Sequence, residues 1–244
     1  LTYIQNQLAL HNDADLTLVF GHHPVTDTGV STDTWLYYGA QTFISLLDQY
    51  GVSSYDYGHT HRYSDVLFAG DAYTGQMTND GVVYLNSASL GKSTSNHFSV
   101  IAIDCNGISS KTQKIASWPL VLITTPVNYD LGGVTNPYAY GVPVAPNNPI
   151  RALVFDSNTV SQVRYRVDGG TPWYSMQSVP GNPRLWEAQW NNSGSTGGVH
   201  AIEVQATGSS VASDVITVHV DPALTDADHD GIPDWWENEH GGTN

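Results

Sequence analysis

Among 244 residues there is a single cysteine, Cys105. No disulfide can form within the chain, and no zinc site can be built on cysteine thiolates. Basic residues are nearly as scarce: 8 Lys and Arg stand against 23 Asp and Glu, a formal charge of −15. Phosphate backbones are gripped by Lys and Arg, so this balance argues against nucleic acid as a partner. Charged residues of both signs make up only 13% of the chain, about half the usual share, and Gly, Ser, Thr, Asn and Tyr carry the polarity instead. No apolar run reaches the ~20 residues that span a bilayer. The opening Leu1-Thr2-Tyr3-Ile4-Gln5 is no signal peptide and reads as mid-protein. Hydrophobic residues at 40% are enough for a sizeable core, so global disorder is not expected.

The acid is unevenly spread. Residues 1–117 carry 10 acidic and 4 basic side chains, 118–221 carry 7 and 4, and 222–244 carry 6 and none. Such density in the last stretch means either a disordered tail or a cation site.

Residues 1–117 alternate helical and strand patterns. Tyr3-Ile4, Gln7-Leu8 and Leu10-His11 suit an amphipathic helix, and residues 39–50, with Phe43, Ile44, Leu46 and Leu47, suit a second that ends near Gly51. Residues 16–20 and 82–86 are short apolar strands. Strands over 99–104 and 108–115 flank Asn106-Gly107, a strong hairpin signal. The expected class is α/β. A break comes at Ser117-Trp118-Pro119. Beyond it no helical period appears, and strands are expected at 120–124, 150–155, 162–167, 172–178, 184–190, 199–206 and 214–220. Short strands with Gly, Pro, Asn and Ser between them predict an all-β, immunoglobulin-like sandwich over 118–221. Residues 125–149, rich in Pro, Asn, Gly and Tyr, read as a long loop.

Two tight histidine groups each follow a strand: Gly21-His22-His23-Pro24, and Gly58-His59-Thr60-His61. Neutral imidazole in a loop at a strand end suits Zn, Fe or Mn. The spacing alone leaves the alternative of two surface loops that contain histidine.

These residues resemble a family. Leu18 to Val25 is similar to the penultimate ligand motif of calcineurin-like metallophosphoesterases, a strand followed by His-x-Pro. Tyr57 to His61 looks like that family's terminal Gly-His-x-His, and Val83 to Gly91 like the segment that usually follows. The resemblance implies that His22 and His59 bind one divalent transition metal and His61 its neighbour, with His23 a substrate contact or merely exposed. It implies hydrolysis of phosphate mono- or diesters, in which two metals clamp a phosphoryl group and stabilise the charge of an in-line displacement. The likeness covers only the C-terminal half of that domain. The family's earlier Asp, His, bridging Asp and Asn have no counterpart, and Asp13 and Asp15 form no such motif. This chain alone is therefore expected to be inactive. Residues 1–117 alone would also leave one sheet face open, beyond what monomers usually tolerate. An upstream half, a partner chain or a second copy is expected to cover it.

In the sandwich segment, Trp173, Trp186 and Trp190, with Tyr165 and Tyr174, read as core and cross-strand pairs ahead of a carbohydrate-stacking platform. His200 and His219 read as ordinary face residues.

The tail carries the sharpest local pattern. From Asp226 to Glu237, acids occupy loop positions 1, 3, 5, 9 and 12 (Asp226, Asp228, Asp230, Asp234, Glu237), with Gly231 at position 6 and the Ile232 carbonyl at position 7. That is the twelve-residue calcium pattern, closed by a bidentate Glu. It resembles the Asp-rich calcium loops of dockerin-like and thrombospondin type 3 repeats, which implies a secreted, extracellular or periplasmic protein. The expected division is thus 1–117, the second half of a metallophosphoesterase domain; 118–221, the sandwich; and 222–244, an EF-hand-like calcium loop. The expected function is the C-terminal portion of a secreted metal-dependent phosphoesterase. The alternative is a non-enzymatic, calcium-stabilised surface or filament protein that retains a relic phosphoesterase half.

Overall fold

A computed structural model describes residues 1–25, 36–59, 81–87, 90, 96–131 and 135–240. Strands dominate these residues, helices are few, and no described helix is long and apolar enough to cross a membrane. The chain gathers into two compact units: Leu1–Val100 with Thr112–Ile115 and Leu131–Pro137, and Ile101–Lys111 with Ala116–Asp130 and Tyr138–Asn244.

In the first unit, helices α1 (Thr2–Leu10) and α2 (Ala40–Gln49) accompany strands β1 (Leu18–Phe20), β2 (Ser54–Tyr57) and β3 (Val83–Asn86). The three strands form one sheet in the order β1-β2-β3, and both pairings are parallel. β2 and β3 are buried throughout, as parallel strands covered on both faces must be. α2 buries Ala40, Phe43, Ile44, Leu46 and Leu47, the three-and-four spacing of one helical face. It stops as the sequence predicts. Gly51 takes a left-handed φ of 58°, its N–H bonds Asp48 O, and Val52 N–H bonds Leu47 O, the paired closure that a glycine just past the helix end permits. α1 differs from expectation. Only Leu8 is buried, while Tyr3, Leu10 and, on β1, Phe20 are exposed.

A hairpin of β4 (His97–Asp104) and β5 (Gly107–Lys114) forms its own two-stranded sheet. Its two-residue turn lies one position earlier than the Asn-Gly signal suggests. Cys105 (φ 48°) and Asn106 (φ 60°) are the left-handed pair, as a type I′ turn requires. Gly107 follows because a Cβ there would sit 2.2 Å from Val127 Cγ2.

The second unit is built on β6 (Leu120–Thr125), β7 (Asn148–Phe155), β8 (Gln162–Val167), β9 (Tyr174–Ser175), β10 (Gln177–Val179), β11 (Asn182–Trp190), β12 (Gly198–Thr207) and β13 (Val211–Val220). Two four-stranded sheets result, β10-β11-β7-β6 and β13-β12-β8-β9, with every pairing antiparallel. Alternate residues of both sheets, among them Ile123, Ile150, Ala152, Val163, Ile202, Val204 and Val218, meet in one core. This is the all-β sandwich. The strand expected over 172–178 is two: β9 pairs with β8 and β10 with β11, so the chain changes sheets around the buried Met176. The stretch expected as a long loop is irregular but tightly packed. Val127, Tyr140, Val142 and Ala145 are buried, and Val142 bridges to Val220. A short helix, α3 (Asp234–His240), follows and buries Trp236 and Glu237.

Ile202 lies at the centre of the sandwich core with no exposed surface. Ile202→Ala is expected to cost about 2–5 kcal/mol, read as a lower urea midpoint at unchanged slope. A loss under ~1 kcal/mol would mean that the site collapses freely and is not close-packed.

Candidate metal centres

The first candidate centre is made by adjacent parallel strands. β1 and β2 both end at the same edge of their sheet, and Gly21-His22-His23 and Gly58-His59 continue from them. The two exits are tied together: Gly21 N–H bonds Asp56 O at 2.9 Å and Gly58 N–H bonds His22 O at 3.2 Å. The Tyr55 hydroxyl donates to His23 O at 2.7 Å. That hydroxyl passes so close to Gly21 that a Cβ there would lie 2.1 Å from it. The consequence is convergence. Ring nitrogens of His22, His23 and His59 all lie within 4.8 Å of one another, and His59 Nδ1 is 2.8 Å from His22 Nε2. A tetrahedral ion with bonds of about 2.0–2.1 Å holds its ligand nitrogens roughly 3.3 Å apart, so a small opening of this pair would seat one. Burial and the nearby charges of His59 and His22 push the His23 pKa down, which favours the neutral, ligating form.

Sequence reasoning paired His22 with His59, and these are brought together. It assigned His23 to substrate or solvent, whereas His23 offers a nitrogen to the same group. Its position depends on contacts with Gly21 and Tyr55 that the spacing of the motif does not record. His61 lies outside the described residues.

The second candidate centre is the acidic tail. Carboxylate oxygens of Asp226, Asp228 and Asp230 lie within 4.8 Å of one another. The loop is shaped by its own acids: Asp226 accepts from Gly231 N–H (3.0 Å), Asp228 from Asp230 N–H (3.2 Å), Asp230 from Ile232 N–H (2.8 Å) and Asp234 from Ala227 N–H (2.7 Å). Gly231 has φ 87°, the left-handed geometry that position 6 of the pattern demands. Burial, and then the charges of Asp230, Asp228, Asp234 and Asp226, push the Glu237 pKa up. For Asp234, the Ala227 N–H and then the Thr225 hydroxyl hold it down.

Other groupings are structural. His200 Nδ1 meets Asp168 Oδ2 at 2.8 Å, and its Nε2 lies 3.4 Å from Ser195 Oγ. That hydroxyl already accepts Gly197 N–H, and Asp168 also accepts Ala201 N–H, so the trio fastens a loop and a turn to β12. His219 stacks on Tyr129. Of the aromatic residues, Tyr165 and Trp190 are buried as expected. Tyr174 is 51% exposed and stacks on Tyr165, and Trp173 lies between Arg164 and Arg166, 4.5 Å from each.

No family model and no curated protein matches this chain. Among solved structures, it is similar to an endo-β-1,4-mannanase from Thermotoga petrophila (TM-score 0.33, 13% identity, 84% of this chain and 47% of that one). It is also similar to fibronectin(III)-like modules of Clostridium thermocellum CbhA (0.29, 18%, 55% and 67%) and to CopC from Methylosinus trichosporium OB3b (0.27, 11%, 36% and 89%). The chain spans about half the length of the mannanase chain it matches. Likenesses at these scores carry no argument about activity.

Beneath the histidine group, Asp56 sits within β2 at 2% exposure. Ser54 Oγ donates to its Oδ2 at 2.9 Å, and its Oδ1 has no partner. Burial pushes its pKa up to about 6, with the Ser54 bond pulling the other way. The unfolded value is near 3.9, so the folded state binds this proton more tightly. The associated stability is fully present below pH ~4 and is lost as pH rises through about 6. Asp56→Asn, which cannot ionise, is therefore expected to raise the melting temperature at pH 8 and leave it unchanged at pH 4. An equal shift at both values would mean that the carboxylate charge is not its source.

Proposed function

We propose that residues 1–117 belong to a secreted metal-dependent phosphoesterase of the calcineurin-like type, and that His22 and His59, with His61 and the newly placed His23, are its nitrogen ligands. The observation that carries this reading is the convergence of His22, His23 and His59 where two neighbouring parallel strands end, the edge at which open parallel sheets bind ligands. The donor set fits a borderline ion such as Zn, Fe or Mn. When bound, such an ion polarises a phosphoryl oxygen and stabilises the charge that builds during displacement of the ester. The residues at hand supply orientation. Tyr55 fixes the backbone at His23, and His22 Nε2 and His59 Nδ1 face each other at 2.8 Å.

No carboxylate joins this group among the described residues. Three imidazoles can hold one ion, but a bridged pair of ions needs acidic ligands from outside the described residues, and this reading expects an upstream segment or a partner chain to bring them. That no carboxylate joins the group among the described residues also favours a second reading, a non-enzymatic extracellular protein that retains the histidines as a relic.

Titration of the full chain with Co²⁺ tests the centre. Absorbance from a nitrogen-bound ion is expected, and His22→Ala or His59→Ala should each weaken binding roughly tenfold or more, since even outer-shell partners are worth 10–100-fold. Identical binding by both variants overturns the reading. Phosphate-ester hydrolysis by this chain should be no faster than by a His59→Ala/His61→Ala control. Metal-dependent turnover that the control lacks would mean that the chain supplies its own acidic ligands.

A further inference from the structure

We propose that a small cavity in the sandwich is a binding site for a neutral saccharide, with Tyr174 as the stacking face and Gln189, Asn191 and Thr171 as partners for the sugar hydroxyls. This does not depend on the histidine centre.

The cavity lies between the edge strand β9, with the turn that leads into it, and the end of β11. It encloses about 300 Å³, at the lower end of the range of about 300–1,000 Å³ for small-ligand sites. Tyr165 and Tyr174 stand directly opposite each other on β8 and β9, stack with ring centroids 5.3 Å apart, and both line it. Tyr165 is buried, whereas Tyr174 is half-exposed, so the Tyr174 ring is backed on one side and open on the other. Trp190, itself buried, adds to the wall. Arg164 and Arg166 alternate with Tyr165 along β8 and so point to the other face of the strand, where they clasp Trp173. Trp173 is thereby taken out of the platform. Among the described residues, none that lines the cavity is charged.

The polar groups there are amides and a hydroxyl, from Gln189, Asn191 and Thr171. Asn191 spends its carbonyl oxygen on Ser193 N–H at 3.0 Å, which leaves its NH₂ as a donor, while the Gln189 amide offers a donor and an acceptor. A matching ligand needs an apolar face to lie on a ring, an edge of groups that both donate and accept, and no charge. A pyranose has all three: its C–H bonds make the apolar face and its hydroxyls the edge. An ion would find no counter-charge here, and a wholly apolar ligand would cut the amides off from water. The wall is also held in place without a ligand. The Tyr165 hydroxyl donates to Gln189 O at 2.8 Å, tying β8 to β11. Trp190 meets His200 edge to face, centroids 5.9 Å apart, and His200 is fixed by Asp168 Oδ2 at 2.8 Å. A preformed wall loses less to ordering when it binds.

Titration of the full chain, followed by heteronuclear NMR of the Trp190 indole and the Gln189 and Asn191 side-chain amides, tests the site. The probes are glucose, mannose and N-acetylglucosamine, their linear trisaccharides, and trigalacturonate as a charged counterpart. Saturable shifts of these groups are expected with at least one neutral sugar. Equal affinity for monomer and trimer supports a cavity filled by one ring, and tighter trimer binding supports a site on a longer chain. Tyr174→Ala should weaken binding about fivefold or more, and Tyr174→Phe, which keeps the ring, by less than about twofold. Gln189 is exposed, so Gln189→Ala leaves the fold intact and should weaken binding about threefold or more. No shift with any neutral sugar, or equal binding by wild type, Tyr174→Ala and Gln189→Ala, overturns the site. Preference for trigalacturonate overturns the assignment of a neutral ligand.

Discussion

Carboxylates outnumber fixed cations by 23 to 8, and the structure is shaped by how each buried or half-buried acid finds a substitute for a cation. The available cations are spent at a few points. Arg151 holds Asp104, Lys111 holds Asp214 and Arg166 holds Glu203. Asp104 gathers Thr124 and Thr125 hydroxyls as well, and Asp214 takes Ile123 N–H. Other acids rely on main-chain donors alone or nearly so. Asp156 accepts Asn158 and Ser209 N–H, and these bonds, with the Ser209 hydroxyl, outweigh desolvation and lower its pKa. Asp56 has one hydroxyl and Glu237 Oε2 has no partner. The acids left over when protein donors run out are the ones that mark where something else is needed.

The sandwich was legible because its signal is local and repeated. Val163 and Tyr165, Ile202 and Val204, and Ile216 and Val218 alternate with half-exposed residues, and alternation is what a half-buried strand must show. What alternation cannot show is the partner. Residues 172–178 read as one strand because both halves suit a strand; only pairing with β8 and then β11 divides them. The hairpin turn moved by one residue for a similar reason. Asn106-Gly107 is the better local signal, but the left-handed pair is Cys105 and Asn106, and Gly107 lies where the space beside Val127 admits no Cβ.

At the histidine group, order along the chain identified which loops meet, and parallel pairing of β1 with β2 makes them meet. The fate of His23 was not legible. Its backbone is fixed by Tyr55, 32 positions away, and no spacing rule reaches that far. The exposed Tyr3, Leu10 and Phe20 were legible only as apolar residues. The helical pattern counts them as core, and the described chain offers nothing to bury them.

The two candidate cation centres present opposite donor chemistry. Imidazole nitrogens favour borderline transition metals and must be neutral to bind. The tail offers carboxylates and a carbonyl, which suit a hard ion with six to eight oxygens at about 2.3–2.6 Å. Protons compete at different acidities: histidine near pH 6.5, carboxylates near 4. In the tail, burial and then its acidic neighbours push the Glu237 pKa up, so that a proton competes there with any cation.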